Sequence, residues 1–205
     1  MDYNRKAGQN IKLQIPIQPN IGLDGDVRDA VIEILNRTLA NEMILSVKTR
    51  NAHWNGSGIG FIELRKVYQS QYQNLNDIAD LLAERARMLG GTAIGSLQEL
   101  IDFSSMEEQP GITPDILRLL ADHETTIRYL RDAAKKCAQD YEDEGTASLL
   151  VRLIVQHEMM AWILRSNIDT ENGRDNLHRG VETQRTDRKQ FDGYSDKQSN
   201  PSNQL

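Results

Sequence analysis

The chain has 205 residues, 39% hydrophobic, 5% aromatic and 26% charged, which is enough for one ordinary domain with a sizeable core. Thirty acidic against 24 basic residues give a formal net charge of -6, the wrong sign for a surface that grips nucleic acid or anionic lipid along its whole extent. The single cysteine, Cys137, rules out an internal disulfide framework and a thiolate zinc cluster, so the cytoplasm is the expected compartment.

Residues 1–23 are polar and interrupted by Pro16 and Pro19, which reads as an extended arm ending at Asp24 or Asp26, either able to cap a helix. No long apolar run follows Met1, so no signal peptide is expected, and no window reaches the ~20 apolar residues of a membrane helix. Val27, Val31, Ile34, Leu35, Leu39, Met43 and Val47 then recur at steps of three and four, predicting a helix over about 26–52 with that stripe inward. Asn55-Gly56-Ser57-Gly58 breaks it. A second helical run carries Phe61, Leu64, Val67, Tyr68, Tyr72, Leu75, Ile78, Leu82, Ala86 and Leu89, and Gly90-Gly91 can end it in a left-handed turn.

A short amphipathic piece, Leu97 to Phe103, gives way to a loop in which Thr113 is the expected N-cap and Pro114 the first helical position. Two further helices are predicted over about 114–141 and 146–168. The Asn-, Gln- and Arg-rich stretch from 170 to 205 reads as a disordered tail. Residues 24–169 thus predict an all-α four-helix bundle. The connection between helices two and three exceeds twenty residues and holds a short extra helix, long enough to run the length of the bundle and let those two helices lie parallel.

Asp80 and Glu84 lie four apart on one face of the second helix, with Gln69 about three turns earlier and Arg65 one turn before that. Such spacing is ordinarily a solvated network and establishes no metal site. His53, beside Trp54 at the end of the first helix, would complete a nitrogen and carboxylate donor set suited to ferrous iron or zinc, although a histidine there also serves as a partner of the helix dipole. His123 and His157 make no Glu-x-x-His step and read as structural or surface residues. No P-loop, dinucleotide fingerprint or Ser/His/Asp arrangement is present.

His53-Trp54-Asn55, the glycine-bearing link, Phe61-Ile62-Glu63-Leu64, Ala83-Glu84-Arg85 with Leu89-Gly90-Gly91, and the closing Gly145-Thr146-Ala147 and Trp162-Ile163-Leu164-Arg165-Ser166-Asn167 together resemble the Dps family, the ferritin-like DNA-binding proteins from starved cells. The resemblance covers about 26–168. It implies a ferritin-like bundle assembled as a dodecameric homo-oligomer that takes up Fe(II), oxidises it with peroxide or oxygen as a ferroxidase, and stores ferric mineral against oxidative stress, with zinc as a substitute ion.

It also implies a site shared between subunits, in which His53 of one copy meets Asp80 and Glu84 of another. Two further family ligand positions, a His and an Asp, are occupied here by Arg65 and Gln69. A guanidinium cannot ligate a cation. At ~5 Å and an effective dielectric of ~20 its repulsion of one unit charge is about 3 kcal/mol, roughly two decades of Fe(II) affinity. Two outcomes follow: a remodelled site that still binds iron, or a salt-bridged, metal-poor one in an intact shell.

Asp140, Asp143 and Glu144 fall where the family places an acidic ion-entry pore, though an acidic turn between helices carries the same residues. DNA binding is expected to be weak or absent. Residues 1–12 carry Arg5, Lys6 and Lys12 against Asp2, and the tail has six basic residues against five acidic ones from 172 onward.

Overall fold

The computed structural model describes residues 17–58 and 60–168. Residues 1–16 of the arm and the whole tail, with every basic residue considered for DNA binding, lie outside the described residues. Five helices account for the regular structure among these: α1 (Gly25–Asn55), α2 (Phe61–Met88), the short α3 (Leu97–Phe103), α4 (Ile116–Gln139) and α5 (Glu144–Ile168). The chain divides into two compact units, Met1–Leu164 and Arg165–Leu205, and the described residues of the second are helical.

Local signals set most boundaries. Asp24 is the N-cap of α1, through its backbone carbonyl rather than its side chain. At the end of α2, Gly90 takes a φ of 90°, Gly90 N–H bonds the Arg87 carbonyl at 3.0 Å and Gly91 N–H the Ala86 carbonyl at 3.0 Å. This paired closure satisfies carbonyls the helix leaves open. Ser96 and Glu99 form a reciprocal capping box on α3. The start of α4 departs from expectation: the cap is Asp115, whose Oδ1 accepts from Arg118 N–H at 2.8 Å, and Thr113 and Pro114 precede the helix. A carboxylate is the better partner for the positive end of a helix.

Cross-helix contacts give the topology. Asn36, Ser46 and His53 of α1 meet Thr92, Asn76 and Arg65 respectively, so α1 and α2 are antiparallel. Arg85 reaches Asp143 and Thr146 at the start of α5, whereas Gln71 reaches Met160 far along it, so α2 and α5 are antiparallel as well. His123 meets His157, and Asp143 N–H bonds the Cys137 carbonyl, which makes α4 antiparallel to α5 and hence parallel to α2.

The long connection makes that parallel pair feasible, and α1 holds it like a rail. Asn36 binds Thr92 and Ile94, Asn41 binds Ser104 and Ser105, Lys48 binds the Glu107 carbonyl, and Asn51 the Ile112 carbonyl. From Asn36 to Asn51 is about 22 Å of helix.

The core runs through Leu35, Leu45, Leu75, Leu82, Leu119, Leu130, Leu150 and Leu153, all fully buried. The predicted inward face of α1 holds at Val31, Leu35 and Leu39, which are buried, and fails toward the end of the helix. Val47 is exposed and Val27 and Met43 are only partly buried, while Thr38, Glu42, Ser46 and Thr49 are buried. Polar side chains inside the bundle blur the apolar stripe from which a helix face is read. Thr38 and Thr49 satisfy their hydroxyls on the carbonyls of Ile34 and Leu45, both at 2.8 Å.

The expectation that no segment is apolar enough to cross a membrane is also corrected. α5 passes by length and composition alone, and its Leu150, Leu153, Ile154, Met160, Ala161 and Leu164 are buried in the bundle.

Candidate functional site

His53 sits in the last turn of α1 and is buried. Its Nδ1 lies 3.0 Å from the backbone carbonyl of Arg65 on α2. A carbonyl can only accept, so Nδ1 carries the proton and Nε2 is the nitrogen left with a lone pair in the neutral ring. Tyr72 meets the imidazole edge-on, centroids 5.5 Å apart at 75°, and the Arg50 guanidinium lies 4.7 Å over the Tyr72 ring. Ring position and tautomer are therefore both constrained, as a metal-binding histidine requires.

Arg65, Gln69, Asp80 and Glu84 are all exposed on α2. Fifteen residues of helix separate Arg65 from Asp80, about 22 Å. Within one chain, therefore, the imidazole and Arg65 are at one end of α2 and the acid pair toward the other, and Arg65 cannot clasp those acids in its own subunit. Among the described residues, no group of three His, Cys, Asp or Glu side chains is placed to hold a metal ion. Large apolar side chains border the imidazole end: Val47, Trp54 and Ile62 are 49%, 66% and 71% exposed.

The three acidic residues of the candidate pore have different fates. Asp140 is the exposed C-cap of α4 and Glu144 is exposed at the start of α5. Asp143 is buried and engaged: Arg85 Nη2 lies 2.9 and 3.2 Å from its two oxygens, and Thr146 donates its N–H at 2.9 Å and its hydroxyl at 2.5 Å. Its carboxylate caps α5 and neutralises Arg85, which leaves Asp140 and Glu144 as the open acids among the three.

A buried polar cluster in the bundle went unread in the sequence. Glu42 of α1, His123 of α4 and His157 of α5 are each 0% exposed. His157 Nε2 lies 3.0 Å from Glu42 Oε1, and His157 Nδ1 lies 3.0 Å from His123 Nδ1. Burial, and then the neighbouring His157, hold His123 well below the usual imidazole range. The available signal was register: Leu35, Leu39, Glu42, Ser46, Thr49 and His53 form one helical stripe, as do Leu119, His123, Thr126 and Leu130, and Leu150, Leu153, His157 and Leu164.

The family model for the ferritin-like domain matches residues 32–172. An uncharacterized low temperature-induced protein of Nostoc sp. is 38% identical over 154 residues, 73% of this chain and 86% of its own length. DNA protection during starvation protein 2 of Bacillus anthracis is 30% identical over 139 residues, 66% of this chain and 94% of its own. Among solved structures, DpsC from Streptomyces coelicolor matches with a TM-score of 0.70 at 28% identity, covering 76% of this chain and 92% of that one.

The Dps protein of Vibrio cholerae O1, described as a member of a broad superfamily of ferritin-like diiron-carboxylate proteins, matches at 0.68 and 27%, covering 74% and 96%. A ferritin-like domain that fills most of the chain, and Dps proteins matched nearly end to end in both sequence and structure, make this chain a member of the Dps family of ferritin-like proteins.

Proposed function

We propose that the chain forms a closed Dps-like shell, a dodecamer in the cytoplasm, whose iron site is completed only where two copies meet. Membership in the family carries iron storage and ferroxidase-type chemistry as its general function. The observation that carries the finer reading is the split donor set. A fixed imidazole with one open nitrogen stands at one end of α2 and two solvent-facing carboxylates stand about 22 Å away, too far to serve one ion within a subunit. Two copies running antiparallel along α2 bring each half against the other. The exposed Val47, Trp54 and Ile62 supply apolar area beside the imidazole half for such a contact.

In that arrangement His53 Nε2 and the Asp80 and Glu84 carboxylates hold Fe(II), the substrate. Two Fe(II) ions each give one electron to a peroxide, whose O–O bond breaks and which leaves as two waters after taking up two protons. Hard carboxylate oxygens favour the ferric product. Iron rather than zinc is the ion the diiron-carboxylate description of the Vibrio cholerae neighbour supports. Asp140 and Glu144 are the carboxylates left to draw cations toward a pore. DNA binding at physiological salt is weak or absent.

Arg65 supports a second reading, a shell with little ferroxidase activity that buffers metal or serves a structural or DNA-associated role, because its fixed positive charge and the neutral Gln69 stand where the family has ligands. One experiment separates the two: anaerobic Fe(II) titration of the assembled protein, then peroxide, followed by ferric absorbance. The first reading expects saturable binding and catalysed oxidation, both lost in His53→Ala and Glu84→Ala, and Fe(II) affinity raised by roughly two decades in Arg65→His. Wild-type oxidation at the uncatalysed rate, with no change in either alanine variant, favours the second.

A further inference from the structure

The iron reading makes no use of three titratable groups that are fully buried among the described residues. Glu42, His157 and His123 come from three helices, and each is wholly shielded from solvent. Glu42 and His123 bind opposite nitrogens of the His157 ring, each at 3.0 Å. The three therefore form a line and not a claw, and no one ion can lie between all of them. The two polar atoms at the ends of this line, Glu42 Oε2 and His123 Nε2, are buried and have no hydrogen-bond partner, whereas every contact inside it is made.

Other polar groups flank the line, and among them a side-chain oxygen of each of Gln71, Asp122 and Gln156 is also buried without a hydrogen-bond partner. From α1, Lys48 pairs with Asp122 of α4 at 2.6 Å. From α2, Gln71 donates to the Met160 carbonyl, one turn beyond His157, and Tyr68 lies one turn before Gln71 and is buried. Thr126 donates to the Asp122 carbonyl.

We propose that Glu42, His157 and His123 are a proton relay through the bundle interior, which binds one proton per subunit. In the unloaded line, Glu42 is ionised and accepts from His157 Nε2–H, His157 Nδ1 accepts from His123 Nδ1–H, and His123 Nε2 is bare. This places a lone negative charge in the core, which burial strongly disfavours. A proton arriving on His123 Nε2 breaks the His123 Nδ1–H bond, and that proton passes to His157 Nδ1. The His157 Nε2–H proton in turn passes to Glu42 Oε1.

Both rings end neutral in the opposite tautomer, Glu42 ends as a neutral carboxyl, and the line goes from one negative charge to none. Nothing is oxidised or reduced. Burial and the adjacent ring keep His123 from holding the charge as an imidazolium, so the added proton moves on along the line. The relay is independent of the iron site, since none of its members is a candidate iron ligand.

The test is magic-angle-spinning NMR of the assembled, full-length protein labelled with ¹⁵N in its four histidines, recorded across the pH range in which it stays folded, together with infrared spectra of the same samples. The expected result is one step in which His157 goes from the Nε2–H to the Nδ1–H tautomer and His123 does the reverse. A carboxylic-acid C=O band appears in parallel, and Glu42→Gln lacks both that band and the step. His53→Ala leaves the step in place. An imidazolium at either position, tautomer changes at separate pH values, or no change over the whole folded range would overturn the relay in the wild-type protein alone, whether or not Glu42→Gln folds.

Discussion

A histidine on the inner stripe of a helix meets protons differently from one in water. His123, wholly buried against His157, is held well below the usual imidazole range, and the cause is first desolvation and then the neighbouring ring. In the unfolded chain the same side chain takes a proton near pH 6.5. Below that pH the unfolded state binds a proton at His123 that the folded state refuses, so this contribution to stability is complete above about pH 6.5 and is lost as the pH falls toward the folded value.

Denaturant midpoints measured between pH 7.5 and pH 5, a range set to span the unfolded value of about 6.5, should therefore fall with pH. His123→Gln should remove up to about 1.4 kcal/mol per pH unit of that slope. An unchanged slope would place the acid sensitivity elsewhere.

The helix joints were more legible than the helix faces, because a joint depends on a few local residues. Gly90-Gly91 and the polar break at 55–58 were readable as stops, and the helices end there, since only the local backbone needs to adopt the turn. The inward face of α1 was legible only at Val31, Leu35 and Leu39, because the helix packs against a crossover loop as well as other helices, and the asparagines that hold this loop take up inward positions. Gly91 shows how tight the joint is: a Cβ there would lie 2.5 Å from Ile32 Cδ1 and 2.8 Å from Ile32 Cγ2.

Gly91→Ala should cost about 1–3 kcal/mol by overpacking. In combination with Ile32→Ala the two effects should be less than additive, because the second change removes the obstructing atoms. Calorimetric or denaturant unfolding of the four proteins in that cycle provides the check. Full additivity would mean that Ile32 is not what resists the added methyl.

For the whole molecule, the surface of one chain is unfinished. On α5, Val151, Val155, Met159 and Trp162 follow one another at three- and four-residue steps and are 52–59% exposed, a stripe of the kind that subunits cover. If the chain closes into the proposed shell, light scattering should give about 280 kDa for twelve copies, against 23.3 kDa for one chain. Val155→Glu, which is exposed in the single chain and so spares its fold, should shift the population to smaller species without loss of helix by circular dichroism. A full-size shell in that variant would show that α5 faces no neighbour.

Composition, proline placement and periodicity were sufficient for the class and most of the architecture: an all-α bundle, its helix breaks, and a connection long enough to make α2 and α4 parallel. These follow from local steric preference and from the need of each helix to hide one side. The candidate iron ligands His53, Asp80 and Glu84 come from the family resemblance that His53-Trp54-Asn55 and Ala83-Glu84-Arg85 help to carry, because spacing cannot tell a metal site from a solvated face.

Packing alone could settle what a side chain meets across the bundle. It committed Asp143 to Arg85, held His53 on the carbonyl of Arg65, and joined Glu42, His157 and His123 in one buried line from residues as far as 115 positions apart. Those pairings depend on three helices reaching the same level of the core, a condition that no local stretch of sequence encodes.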